Sequence, residues 1–173
     1  MEHLQYPIGR FERIEHPTQS DRDKWVTDVA ETANLLRKTV LHLNQEQRLT
    51  TYRPGGWTVQ QVVHHMADND MNAFLRFKRA LTEDSPIASS YREDLWAELS
   101  DYQVPIEASI QLLESIHIRF VSVLRSLSSS DFKKTFTSPV LGVLSLETAL
   151  QRLVWHDRHH IAQIASLKER MGW

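Results

Sequence analysis

The chain contains no cysteine. That absence excludes disulfides, thiolate metal ligands and a cysteine nucleophile together. Any metal must therefore be held by histidine and carboxylate, and any thiol chemistry must use a thiol brought in as substrate. A run of one charge sign is also missing. The net charge is −2 with no basic arm, which gives a nucleic-acid partner no electrostatic support. No window approaches the ~18 consecutive apolar residues of a membrane span. The opening Met1-Glu-His-Leu-Gln-Tyr-Pro-Ile lacks the charged-then-apolar pattern of a secretory signal, so the cytoplasm is the expected location. What is present is ordinary for a globular protein: 173 residues, 41% hydrophobic and 24% charged, enough for one domain with a real core.

Residues 1–19 read as an arm, in which Tyr6-Pro-Ile-Gly9 and His16-Pro17 hold the backbone extended or turned. His3 and His16 fall there and are expected to be solvated. Ser20 predicts an N-cap, with Asp21 and Asp23 in the first turn of a helix reaching about His42. After the Pro54-Gly-Gly56 break, Thr58 and Gln61 form a capping box for a second helix to about Glu83. It carries Val59, Val62, Val63, Met66, Asp70, Ala73, Phe74 and Phe77. A connection at 84–104 can hold a short helix at 92–99, and Pro105 suits the first turn of a third helix to about Leu127. Residues 135–144 alternate around Pro139 and Gly142 as an extended segment or small hairpin. Ser145 caps a fourth helix to Met171. Four amphipathic helices with three long connections predict an all-α four-helix bundle in a single domain over 1–173, in which non-adjacent helices can be joined.

The fourth helix carries the chemistry. Leu146, Ala149, Leu150, Leu153, Ile161, Ile164, Leu167 and Met171 share one side. At about 100° per residue, His160 falls roughly 50° from the centre of that stripe, His156 roughly 90°, and His159 about 150°. His156 and His160 are one turn apart, so both rings can converge on one cation. A bundle interior assembles metal sites from facing helices, and one of the pair His64–His65 on the second helix would complete a three-histidine face. Periodicity does not choose between them, since each lies about 130° from the apolar centre on opposite sides. Three neutral imidazoles leave an ion's charge in place and positions free for water or substrate, the pattern of a catalytic centre. Asp157 sits about 10–20° from the stripe's centre and needs a partner if buried: a ligand's ring N–H, water or an arginine. A salt bridge at the bundle's margin is the competing expectation. Gln163 and Asp68 also lie within a turn of the proposed ligands, and His117, beside the third helix's apolar set, is expected mainly as a packed or hydrogen-bonded core group.

The run Gly55-Gly-Trp-Thr-Val-Gln-Gln-Val-Val-His-His-Met-Ala-Asp-Asn-Asp-Met-Asn72, with Trp155-His-Asp-Arg-His-His-Ile-Ala-Gln163, resembles the DinB-like superfamily of metal-dependent bundles, in particular its YfiT-type hydrolases and bacillithiol transferases. The resemblance spans nearly the whole chain. It implies helices in up-down-down-up order, a homodimer, and one divalent ion per subunit, nickel or zinc. The family's ligands match His65, His156 and His160, while His159 matches a non-ligand position. The implied activity is metal-dependent hydrolysis or thiol transfer to a small electrophile, with Asp157 a candidate for handling protons. The alternative is a dimeric metal-binding protein without catalysis.

Overall fold

A computed structural model describes residues 2–173. Its helices are α1 (Glu2–Gln5), α2 (Gln19–Val40), α3 (Gln45–Arg48), α4 (Val59–Thr82), α5 (Glu93–Trp96), α6 (Ile106–Arg125) and α7 (Leu146–Met171). A hairpin of β1 (Thr135–Ser138) and β2 (Gly142–Ser145) stands before α7, pairing antiparallel with Phe136 opposite Leu144. Its loop closes through Gly142 at φ +75, a conformation that costs a side chain energy. The four long helices make the bundle, as the sequence predicts.

Local chemistry sets the helix ends. Thr58 and Gln61 form the expected capping box at α4, and Ser145 receives the Thr148 N–H at α7. At α2 the cap lies two residues earlier than expected. Thr18, not Ser20, accepts from the Asp21 N–H while the Asp21 carboxylate accepts from the Thr18 N–H, so the reciprocal pair outcompetes the serine. The arm also holds one helical turn, α1, and is anchored where Gln151 accepts from the Ile14 N–H at 2.8 Å.

Side-chain pairs fix the helix directions. Arg22–Glu147, Asp28–Arg158 and Thr39–Lys168 run in step along α2 and α7, which are therefore parallel. His64–Ser109 and Asp70–His117 make α4 and α6 parallel. Arg37, late in α2, reaches Glu107 and Glu114 in the first half of α6, and on α4 His65 packs against His160 while Asn69, one turn later, meets His156, one turn earlier on α7, so these pairs are antiparallel. The order is up-down-down-up. Around the bundle α2 touches α6, α6 touches α4, and α4 touches α7, so α2–α4 and α6–α7 stand on the diagonals.

The apolar core is divided. One cluster gathers Phe74, Phe77, Phe120, Leu146 and Leu150; the other gathers Leu36, Val62, Met66, Leu113 and Ile164. Between them each long helix contributes a buried polar side chain: Thr32 of α2, Asp70 of α4, His117 of α6 and Asp157 of α7. His64 is also buried; it faces α6 and bonds Ser109 Oγ at 2.7 Å and the Val104 carbonyl at 3.0 Å. Among the described residues no helix is long and apolar enough to cross a membrane.

Candidate metal centre

Three imidazoles meet between α4 and α7, beside the polar layer. His65 Nε2 lies 3.0 Å from His156 Nε2, and His160 Nε2 lies 3.1 Å from it. The two neighbours of the His-His pair separate cleanly, because α4 is flanked by two helices. His65 turns to α7 and His64 to α6, so both are buried for different reasons. The Trp57 ring packs on His65 with centroids 4.6 Å apart and closes that side of the group.

The arrangement fits a cation better than a hydrogen-bonded cluster. A neutral imidazole carries one ring hydrogen, so His156 Nε2 can donate to one neighbour or accept from one, never serve both. One ion satisfies all three lone pairs. Nitrogens each about 2.0–2.1 Å from an ion and about a right angle apart would stand ~3 Å from one another, as both contacts of His156 do, and the possible ligand atoms of all three residues lie within 4.8 Å of one another. Burial also keeps the rings neutral. Desolvation, with the neighbouring imidazoles adding to it, holds His65 and His160 well below the ordinary histidine range. His156 is pushed down to about 4, again mainly by desolvation. Neutral imidazole is the form that binds metal.

One imidazole's tautomer can be read from its surroundings. The Gln5 carbonyl can only accept, so Gln163 Nε2 must donate to it, at 2.8 Å. The same amide nitrogen lies 2.8 Å from His159 Nε2. Gln163 Oε1 is then left facing His160 Nδ1 at 2.9 Å, where it accepts the ring hydrogen and leaves a lone pair on Nε2. His156 Nδ1 is flanked by the Asn69 amide at 3.2 Å and Asp157 Oδ1 at 3.6 Å.

Asp157 is wholly buried, not at the bundle's margin, and neither oxygen has a hydrogen bond of ordinary geometry among the described residues. Desolvation first, then the Asp70 carboxyl, raises its pKa well above the usual carboxylate range and favours the protonated form. Asp70 is engaged from the other side, where His117 Nε2 donates to it at 2.6 Å. Asp70, His156 and Asp157 also stand close enough to share an ion. Asp68 stands apart from the three imidazoles' contacts, accepting from the Tyr102 hydroxyl at 2.7 Å.

His159 differs from its angular expectation. It is buried, because the arm and Trp155 cover that face: Tyr6 packs on its ring at 5.5 Å and Trp155 stacks at 4.8 Å. It does not join the three Nε2 atoms. His3, His16 and His42 are exposed. The sequence reading missed Asn69, Trp57 and the Gln5 carbonyl. The polar spacing of Asn69 four residues after His65 was the available signal for the first.

His156 alone of the three imidazoles lines a cavity of about 150 Å³ between α4, α7 and the hairpin. Its side chain is 21% exposed. The centre is therefore reachable by a small molecule from that side.

Residues 14–164 match the DinB superfamily model. A protein of Bacillus mycoides named "Putative metal-dependent hydrolase" is 44% identical over 173 residues, covering 100% of both chains. One of the same designation from Oceanobacillus iheyensis is 45% identical over 168 residues, 97% of this chain and 98% of its own. Among solved structures, YfiT of Bacillus subtilis, described as "a probable metal-dependent hydrolase with an unusual four-helix bundle topology", superposes with a TM-score of 0.96 at 42% identity over 99% of each chain. The four-helix bundle protein TT2238 shares the fold alone, at a TM-score of 0.57 and 16% identity over 88% of this chain and 99% of its own. With the helix order and the three converging imidazoles already in view, these matches establish that the chain belongs to the DinB superfamily.

Proposed function

We propose that this chain is a metal-dependent hydrolase whose single divalent ion, nickel or zinc, is held by His65, His156 and His160. The observation that carries this is the meeting of three neutral Nε2 atoms beside a cavity that one of their rings lines. A divalent ion held there would supply Lewis-acid chemistry, acidifying a water and polarising a substrate carbonyl. The chain's own residues then have definite tasks. Gln163, braced by the Gln5 carbonyl, holds the His160 proton at Nδ1. An imidazole bound through Nε2 carries its remaining proton on Nδ1, and for His156 the polar groups there are Asp157 and the Asn69 side chain. Asp157 in this reading is a positioning residue acting through His156, because it is sealed from the cavity side. Trp57 excludes water from the His65 ring.

A second reading is transfer of a low-molecular-weight thiol to an electrophile at the same centre. The lack of cysteine is compatible with it, since no protein thiol competes. The two readings separate in one experiment. Protein loaded with nickel or zinc is offered ester and amide panels alone, then electrophiles with and without an added thiol. Hydrolysis without thiol supports the first reading, and turnover that requires thiol supports the second. Silence in both, with chelation lowering the melting temperature, would leave a metal-binding protein without catalysis. The homodimer and cytoplasmic setting belong to the same reading; sedimentation equilibrium tests the first.

A further inference from the structure

The cavity beside His156 contains two arginines that lack carboxylate partners. Some arginines elsewhere are matched, Arg22 with Glu147, Arg37 with Glu107 and Glu114, Arg79 with Glu83, and Arg158 with Asp28, while Arg48, Arg53, Arg119, Arg125 and Arg170 form no ion pair among the described residues but lie outside this cavity. Arg76 and Arg152 are distinguished by sharing one cavity, where both are half-buried and have no carboxylate against them among the described residues. Arg76 gives one hydrogen bond, to the Ser89 carbonyl at 3.1 Å, and its buried Nε has no partner. Arg152 lies with its guanidinium 4.9 Å from the centre of the Phe11 ring, which holds it in place without neutralising it. Burial without compensation pushes both below the ordinary arginine range.

Their placement follows from the helices. Asn69, Ala73 and Arg76 form one stripe of α4, and Arg152 lies one turn before His156 on α7. Both stripes line the same cavity, whose remaining wall is apolar apart from Ser138, with Phe77, Phe136 and Leu153. A half-buried guanidinium is costly unless something offsets its desolvation, and here one carbonyl and one aromatic face do so without an anion. The site gains further positive charge once an ion sits on neutral imidazoles.

We propose that the cavity is a carboxylate-binding subsite: Arg76 and Arg152 hold the carboxylate of a small organic acid while its apolar body rests on Phe77, Phe136 and Leu153. The guanidinium fork matches a carboxylate in two parallel hydrogen bonds, which a lysine would not reproduce. A cavity of about 150 Å³ accepts a body near the size of one benzene ring. The inference rests on the metal-centre reading only in making this acid the substrate or product handled beside His156; the arginine site itself does not require the ion.

Phenylacetate is the probe, with benzyl alcohol as its uncharged counterpart and inorganic phosphate as the competing anion. Binding is measured by calorimetry on the full chain, both after chelation and after loading with zinc, and metal content is determined in parallel. Phenylacetate should bind wild type in both states and benzyl alcohol at least 10-fold more weakly. Arg152→Met and Arg76→Met should each weaken phenylacetate about 10- to 100-fold and leave benzyl alcohol and metal content unchanged. Arg152→Lys, which keeps the charge and loses the fork, should fall between, and guards against a loss caused by misfolding. Equal binding of the two aromatic probes, tighter binding of phosphate than of phenylacetate, no saturation by phenylacetate, or indifference to both arginine substitutions would overturn the proposal. A wild type that takes up no zinc yet binds phenylacetate through the arginines would sink the metal reading alone.

Discussion

Removing His117 from the buried polar layer should cost several kilocalories, and removing its partner at the same time should restore much of the loss. Asp70 and His117 are both buried, and their contact of 2.6 Å is short for an N–H···O bond. Asp70 is 0% exposed, so His117→Leu would leave its carboxyl with no water to replace the lost donor. Breaking one side of such a pair costs roughly 3–5 kcal/mol, whereas replacing both partners by apolar groups is often nearly neutral. The singles His117→Leu and Asp70→Leu should therefore each lose about 3–5 kcal/mol, and the double variant clearly less than their sum. At this chain length that is a fall in melting temperature of roughly 6–20 °C for a single. The assay is urea unfolding followed by circular dichroism on chelated protein, so that metal binding does not enter. Additive losses, or singles costing less than about 1 kcal/mol, would refute the claim that the two groups satisfy one another.

Other consequences follow from the centre. Gln163→Ala should free the His160 Nδ1 hydrogen and lower metal affinity by about 10- to 100-fold without removing a ligand, as competition with a chromophoric chelator would read out; unchanged affinity would remove Gln163 from the account. Metal-free protein should lose stability as pH falls below about 6.5. His65, His156, His159 and His160 all have depressed values in the fold, so the unfolded chain binds more protons there, and stability rises with pH across the window from the lowered values to 6.5. For His156, lowered from 6.5 to about 4, the loss at pH 5 is about 2 kcal/mol. Asp157, Asp68 and Glu93 work oppositely, their raised values giving stability that is lost as pH rises, but they are three groups against five lowered histidines, His64 included. Chemical denaturation at pH 5 and 7 checks this, and equal stability at both would contradict it.

Much of this was legible before the structure because the signals are local. The capping residues of α4 and α7, the apolar stripe of α7 and the one-turn spacing of His156 and His160 need only neighbours in sequence. Thr18 was missed because a serine two residues on offered a plausible cap, and only the reciprocal bond to Asp21 discriminates. His64 and His65 could not be told apart by an angular count, which assumes one buried face, whereas α4 packs between two helices. His159 was misjudged for a related reason: the arm, with Tyr6, buries a face that would be open on an isolated bundle. Asp70, His117 and Asp157 each betrayed themselves by sitting on or beside an apolar stripe. That Asp70 pairs with His117, 47 residues away, depends on parallel packing of α4 and α6, which no local pattern encodes. That Arg76 and Arg152 share one cavity is visible only once α4 and α7 are packed together.

The central claim is that His65, His156 and His160 hold one divalent ion. Elemental analysis of untagged protein, reconstituted with nickel or zinc and dialysed, tests it directly. The account predicts about one ion per chain for wild type, His64→Ala and His159→Ala, and almost none for His65→Ala, His156→Ala or His160→Ala. Full occupancy in His160→Ala, or none in wild type, would contradict it.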